Sequence, residues 1–416
     1  MGSTEMFAIR AGRAFDGQQP IRGGATIVID QERIVGVQPA AAPLPQGCAV
    51  AEFPHATVLP GLIDTHVHLG GDGRDGALGR LADYPDDQVA EVIETALRRH
   101  LAAGVTTVRD LGDRRWSVVA RRDRAIIEGA ATVSPTIVAS GPPITSVRGH
   151  CWYLGGEVRG EAALRAAIKE RIERRVDVVK IMVSGGVMTT DTDVMSRQFC
   201  DADLHLLVDQ AHAAGLPVTA HAHGLSAVEQ AIDAGVDGIE HGNCVTPTGA
   251  HIPDSLLDRL AEHRIAVCPT LLARVTSIRP SATEAAFIKR FGLTREAVQA
   301  HIARMYRAGA RVIAGTDGGI ATAKPHGIVH AAISGLVASG VCAAQALAAA
   351  TSVAAQVCGL GSRKGRLRAG YDADVLLVEG DPLSEVSVLM RPAAVMVRGQ
   401  WAAGPSTAEW RALRQP

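Results

Sequence analysis

Six side chains in this sequence have the chemistry to hold metal ions and move protons: His66 and His68 in an H-x-H pair, then Lys180, His221, His241 and Asp317. In an extended strand alternate side chains share a face, so His66 and His68 can grip one ion together. A lone H-x-H pair fits polar packing equally well. Lys180 is stranger, because Val178, Val179, Ile181 and Met182 flank it and a bare ammonium is costly in such surroundings. Either it snorkels from a rim to water, or burial lowers its pKa until the neutral amine adds carbon dioxide and the carbamate bridges two divalent cations. The imidazoles of His221 and His241 suit zinc-like ions, and the Asp317 carboxylate can take a proton from bound water. Taken singly, each of these three reads as well as a hydrogen-bonded core residue.

The elements that must position these residues are short apolar runs alternating with amphipathic helical stretches. Candidate strands end at His66, Asp110, Ala139, Ile181, His221, His241, Pro269 and Gly315. Between them, residues 88–100, 161–174 and 202–214 show helical spacing with charges opposite the apolar face. Strands alternating with helices imply a parallel sheet, and eight units predict an α/β fold of the (β/α)8 TIM-like barrel type. An open doubly wound sheet is the alternative topology. Barrel active sites lie at the C-terminal ends of strands, where all six residues fall. Both chain ends carry strand-like runs with turn signals, which predicts a small β-sandwich formed from residues 1–59 and 359–416 around a barrel of residues 60–358.

Basic and acidic residues nearly cancel, for a net charge of -1, so the balance favours a small-molecule substrate over nucleic acid or a membrane surface. The seven cysteines include no C-x-x-C pair, which argues against a cysteine zinc site and fits a reducing, cytoplasmic setting. The first residues lead directly into a strand-like run without a signal-peptide pattern, and no run of about 18 apolar residues could span a bilayer.

An H-x-H pair followed by lysine, histidine, histidine and aspartate on successive strand ends resembles the amidohydrolase superfamily. The likeness extends from Thr57-Val58-Leu59-Pro60 to Gly370-Tyr371-Asp372-Ala373-Asp374. Within it, Val179-Lys180-Ile181-Met182-Val183-Ser184-Gly185-Gly186 and Ala220-His221-Ala222-His223-Gly224 resemble the imidazolonepropionase-related branch that holds Xaa-Pro dipeptidases and ochratoxin-type amidases. Imidazolonepropionases themselves lack the bridging lysine. The resemblance implies that His66, His68 and Asp317 hold the more buried of two metals, His221 and His241 the second, and that N6-carboxylated Lys180 bridges both. It also implies a homo-oligomer, and a role for His150 in polarising the substrate carbonyl. His223 stands where related dipeptidases often carry a tyrosine that contacts the substrate carboxylate. It could instead orient a ligand or be a plain rim histidine.

The expected reaction is hydrolysis of an amide or peptide-like C–N bond in an N-acyl amino acid or dipeptide. A water between two divalent ions, zinc being the expected metal, loses its proton near neutral pH and attacks, while Asp317 carries that proton to the leaving nitrogen. Arg148, Trp152, Tyr153 and Arg197 are expected in loops overhanging the barrel mouth, the arginines to clamp a carboxylate and the aromatics to wall an apolar group. Two rivals stay open. A lactonase or cyclic-amide hydrolase would use the same ligands, and a catalytically silent barrel would serve as a binding module.

Overall fold

Runs such as Leu62–Val67 and Val179–Met182 are fully buried and rich in branched side chains, which is how strands covered on both faces read. The structure, a computed structural model, describes residues 6–44, 48–129, 132–189, 191–270 and 280–403. The terminal segments 1–5 and 404–416, assigned above to the small β unit, lie outside the described residues. The α/β class expected from the pattern is observed.

Eight parallel strands carry the candidate residues or their neighbours: β1 (Leu62–Val67), β2 (Val105–Asp110), β3 (Thr136–Ala139), β4 (Val179–Met182), β5 (Val218–Gly224), β6 (Gly238–Thr246), β7 (Ala266–Cys268) and β8 (Arg311–Val312). Strands β1 to β3 form one sheet, and β4 to β8 form another. Backbone hydrogen bonds join the two at both edges. Ile144, beyond β3, donates to Lys180 O at 2.8 Å and accepts from Met182 N at 2.9 Å. On the other side Thr65 N donates to Ala314 O at 3.1 Å and His68 N to Gly318 O at 2.9 Å.

Two strands depart from their expected ends. β5 continues past His221 to Gly224, and β6 past His241 to Thr246. The regular ladder of β8 stops at Val312, yet the chain stays close to β1 because Gly315 has no side chain, and a Cβ there would lie 2.9 Å from the His66 backbone nitrogen. That close approach keeps Asp317 beside the H-x-H pair. The helices Asp86–Ala102, Gly160–Glu173 and Asp201–Ala213 cover the expected segments to within two residues at each end.

Among the described residues, strands from both terminal regions form one eight-stranded sheet, joined where Val375–Glu379 pairs antiparallel with Ala49–Pro60. Period-two geometry splits its side chains between two cores. Val58, Val375, Leu377 and Met396 pack within the sheet's own cluster, whereas Leu59, Leu376, Val378 and Val395 join the cluster that includes Leu62 and Val105. The sheet is therefore anchored on the strand–helix unit. Among the described residues no disulfide links the cysteines, and no helix is long and apolar enough to cross a membrane.

Candidate active site

At the end of β1 the two imidazoles of the H-x-H pair turn to one side, as strand alternation dictates. His66 Nε2 and His68 Nε2 lie 3.4 and 3.2 Å from the same oxygen, Asp317 Oδ1. Their far nitrogens are fixed by other groups: His66 Nδ1 is 2.8 Å from Glu240 Oε2, and His68 Nδ1 is 3.1 Å from Gly112 O. With Nδ1–H donated in each case, both Nε2 lone pairs face the aspartate, the tautomer a metal ligand needs.

A second group gathers on β5 and β6, where donor atoms of His221, His223 and His241 lie within 4.8 Å of one another. His221 and His223 share a face because β5 runs on to Gly224. His241 Nδ1 is tied to Thr270 Oγ1 at 2.9 Å and His223 Nδ1 to Asn243 at 2.9 Å. Both His241 and Asp317 have left-handed backbone, φ 70° and 59°, a conformation costing about 1–3 kcal/mol per non-glycine residue and concentrated at functional sites.

Lys180 is almost wholly buried on β4, and among the described residues its Nζ has no hydrogen-bond partner. Burial lowers its pKa to about 8, against the opposing pull of Glu240 and Asp317. Its charge acts on both histidine groups, lowering the pKa of His66 and of His221. His66 falls to about 4, chiefly through burial. Asp317 is the reverse case: burial would raise it, but the Lys324 ammonium, 2.8 Å from Oδ2, and His66 hold it well below the usual carboxylate range.

His150 lies in the same cavity, its ring centroid 4.4 Å from that of His221. Its Nδ1 is 3.0 Å from Thr189 Oγ1, and that oxygen also accepts the Cys151 amide hydrogen, so the hydroxyl proton is free to point at Nδ1. The structure thus brings His66, His68, His150, Lys180, His221, His223, His241 and Asp317 to one cavity.

It does not bring Arg148, Trp152, Tyr153 or Arg197 there. Arg148 lies over the Trp152 ring, 5.1 Å from its centroid, and reaches toward Asp191 with its side chain 66% exposed. Arg197 pairs with Asp201 at 2.9 Å, one helical turn away on the surface. Tyr153 is turned inward against the core, with its hydroxyl 3.7 Å from Cys151 Sγ. Local partners, not the cavity, satisfy all four.

Sequence reasoning missed Glu240, Arg109 and Lys324. Glu240 accepts from Thr219 Oγ1 at 2.7 Å and Arg109 at 2.9 Å while it orients His66; burial alone would raise its pKa, but Arg109 and His66 hold it far down. A signal was available, since an arginine and a glutamate inside two apolar strand runs cannot be buried singly and must find each other.

The chain as a whole is similar to known proteins. The chain is 27% identical to the ochratoxinase of Aspergillus niger over 94% of its own length and 85% of that protein. It is similar to the crystal structure of a Xaa-Pro dipeptidase with bound methionine in the active site, at TM-score 0.81 and 26% identity, over 95% of this chain and 99% of that one. A putative prolidase from Bifidobacterium longum matches at TM-score 0.77 and 28% identity, over 99% and 98% of the two chains. The model of the amidohydrolase family matches residues 57–402, from the entry to β1 through the terminal sheet, and the chain belongs to that family.

Proposed function

We propose that this chain hydrolyses an amide or peptide-like C–N bond in a small molecule, an N-acyl amino acid or a dipeptide, at a centre of two divalent ions such as zinc. In this reading the two parallel sheets are one closed (β/α)8 barrel with the centre at its mouth. His66, His68 and Asp317 would hold one ion, His221 and His241 the other, and Lys180 would bridge them as its N6-carboxylate. The observation that carries the reading is the Lys180 amine, buried and without a hydrogen-bond partner among the described residues. With its pKa lowered to about 8 by that burial, it can lose a proton, add carbon dioxide through the free amine and release a second proton from the carbamic acid formed, which converts a buried cation into a bidentate anion among donors. Similarity to the dipeptidase and ochratoxinase supports the choice of bond.

The metal pair, when bound, supplies Lewis acidity and lowers the pKa of water toward neutrality. The chain's own groups do the rest. Asp317 starts ionised, so it accepts a proton and then hands it to the departing nitrogen, which leaves as a neutral amine. His150, its Nδ1 occupied by Thr189, offers Nε2–H to the carbonyl oxygen as that atom gains charge. Glu240 keeps His66 in the ligating tautomer.

Protein purified without chelators should contain about two divalent ions per chain. It should also turn over N-acetyl amino acids or dipeptides in preference to lactones and cyclic ureas. Turnover of lactones alone would keep the site and change the bond. No metal and no turnover would turn the reading toward a silent binding module.

A further inference from the structure

We infer that Lys324 binds a carboxylate on the leaving-amine side of the substrate and makes the site selective for N-acyl amino acids over neutral amides. This rests on the hydrolase reading above. Four charged side chains line the cavity among the described residues: Lys180, Glu284, Asp317 and Lys324. Lys180 is almost wholly buried and is assigned to the metal bridge in that reading. Glu284 is committed to the start of the helix Ala282–Phe291, where its carboxylate accepts from both the backbone nitrogen and the hydroxyl of Ser281 at 2.9 Å. The two arginines expected to clamp a carboxylate face other partners. Among the described residues Lys324 therefore remains as the cation on the wall, with its side chain 18% exposed.

Its placement is fixed by a tight loop. Gly319 N donates to Lys324 O at 2.7 Å and Lys324 N to Ala321 O at 2.9 Å, so Asp317 and Lys324 ride on one short hydrogen-bonded segment. The ammonium gives one hydrogen bond to Asp317 Oδ2 and has two further donors. Asp317 delivers the proton to the leaving nitrogen in the proposed reaction, so a group bonded to the same carboxylate stands beside that nitrogen. In an N-acyl amino acid a single carbon separates the nitrogen from the carboxylate. The remaining wall is largely apolar, with Met182, Met188, Phe287, Leu293 and Ile320, which fits an apolar side chain and leaves Lys324 to answer the charge.

The test uses the full chain loaded with zinc and two probes, L-leucine and L-leucinamide, with binding followed by isothermal titration calorimetry. The wild-type chain is expected to bind leucine about ten- to a hundredfold more tightly than leucinamide, the range of one charge-assisted hydrogen bond. Lys324→Met removes the charge at similar length and should erase the preference, whereas Lys324→Arg should retain it. A Lys324→Met protein that still prefers leucine by the same factor overturns the proposal, as does a wild-type chain that binds the two probes equally. Equal loss of turnover on neutral and carboxylate amides, with leucine binding unchanged, also overturns it, because Lys324 would then act on Asp317 alone. If no amide is hydrolysed but the leucine preference follows Lys324, the hydrolase reading falls and the carboxylate site stands.

Discussion

The two groups of candidate ligands are built from the same imidazoles but stand in opposite electrostatic settings. His66 and His68 face Asp317, and Glu240 backs His66, so carboxylates surround the first group. His221, His223 and His241 form the second, and among the described residues no carboxylate belongs to it. Burial drives the His221 and His241 pKa values well below the ordinary histidine value and takes His223 to about 3. The first group can compensate a cation with charge it already owns. The second has neutral donors only, and an anion must come from elsewhere. In the proposed mechanism it comes from Lys180, whose carboxylation would add the missing negative charge.

That difference predicts an uneven response to Lys180→Ala, the largest effect expected. Metal analysis should fall from about two ions per chain to about one, the survivor being held at His66, His68 and Asp317. Turnover should drop by roughly three orders of magnitude, the scale of losing positioned electrostatic stabilisation. Equal loss of both ions, or retention of both, would break the contrast between the groups. His150→Ala comes next. His150 adjoins the second group without joining it, so the variant should keep its metal and lose about 10²–10³ in kcat, as for removal of an oxyanion donor. A parallel loss of metal would make His150 a ligand instead.

Glu240→Gln probes the first group from behind. Orienting partners of metal-bound histidines are worth about 10–100-fold in metal affinity, and competition with a chelator should show that loss at the first group alone. Because Arg109 would lose its charged partner in a buried setting, Tm should fall as well.

The clustering of these candidate residues was legible in the sequence because strands constrain them. A run of apolar residues fixes where a strand lies, period two fixes which side chains share a face, and His66, His68, Lys180 and His221 obey both rules. Glu240 escapes the rule because β6 does not stay regular: His241 and Gly242 both turn to positive φ, so two consecutive polar side chains can serve one site from different depths. Lys324 was illegible for another reason. It sits seven residues beyond Asp317 on a loop whose return path is set by hydrogen bonds between backbone atoms of Gly319, Ala321 and Lys324, and no periodicity announces such a path. Closure of the eight strands is suggested by their number, but the two sheets touch through single bridges, Val67 with Gly318 and Ile144 with Ile181, and Gly318 and Ile144 lie in segments that no strand pattern marks.

The loops that carry Arg148 and Arg197 show the limit most directly, and Arg197→Ala is the smallest effect expected. A long side chain on a loop is oriented by the nearest partner, and for Arg197 that partner is Asp201, four residues on at the start of the helix Asp201–Ala213. Such exposed pairs contribute about 0.3–0.5 kcal/mol, so neither stability nor the site should respond strongly. KM for an N-acyl amino acid should stay within about twofold of wild type, because the charged contact it would remove belongs to the helix and not to the cavity. Metal content should be unchanged in both ligand groups. A tenfold rise in KM confined to carboxylate substrates would show that Arg197 leaves Asp201 when substrate arrives, and the carboxylate would then be held from the loop instead of by the cation beside Asp317.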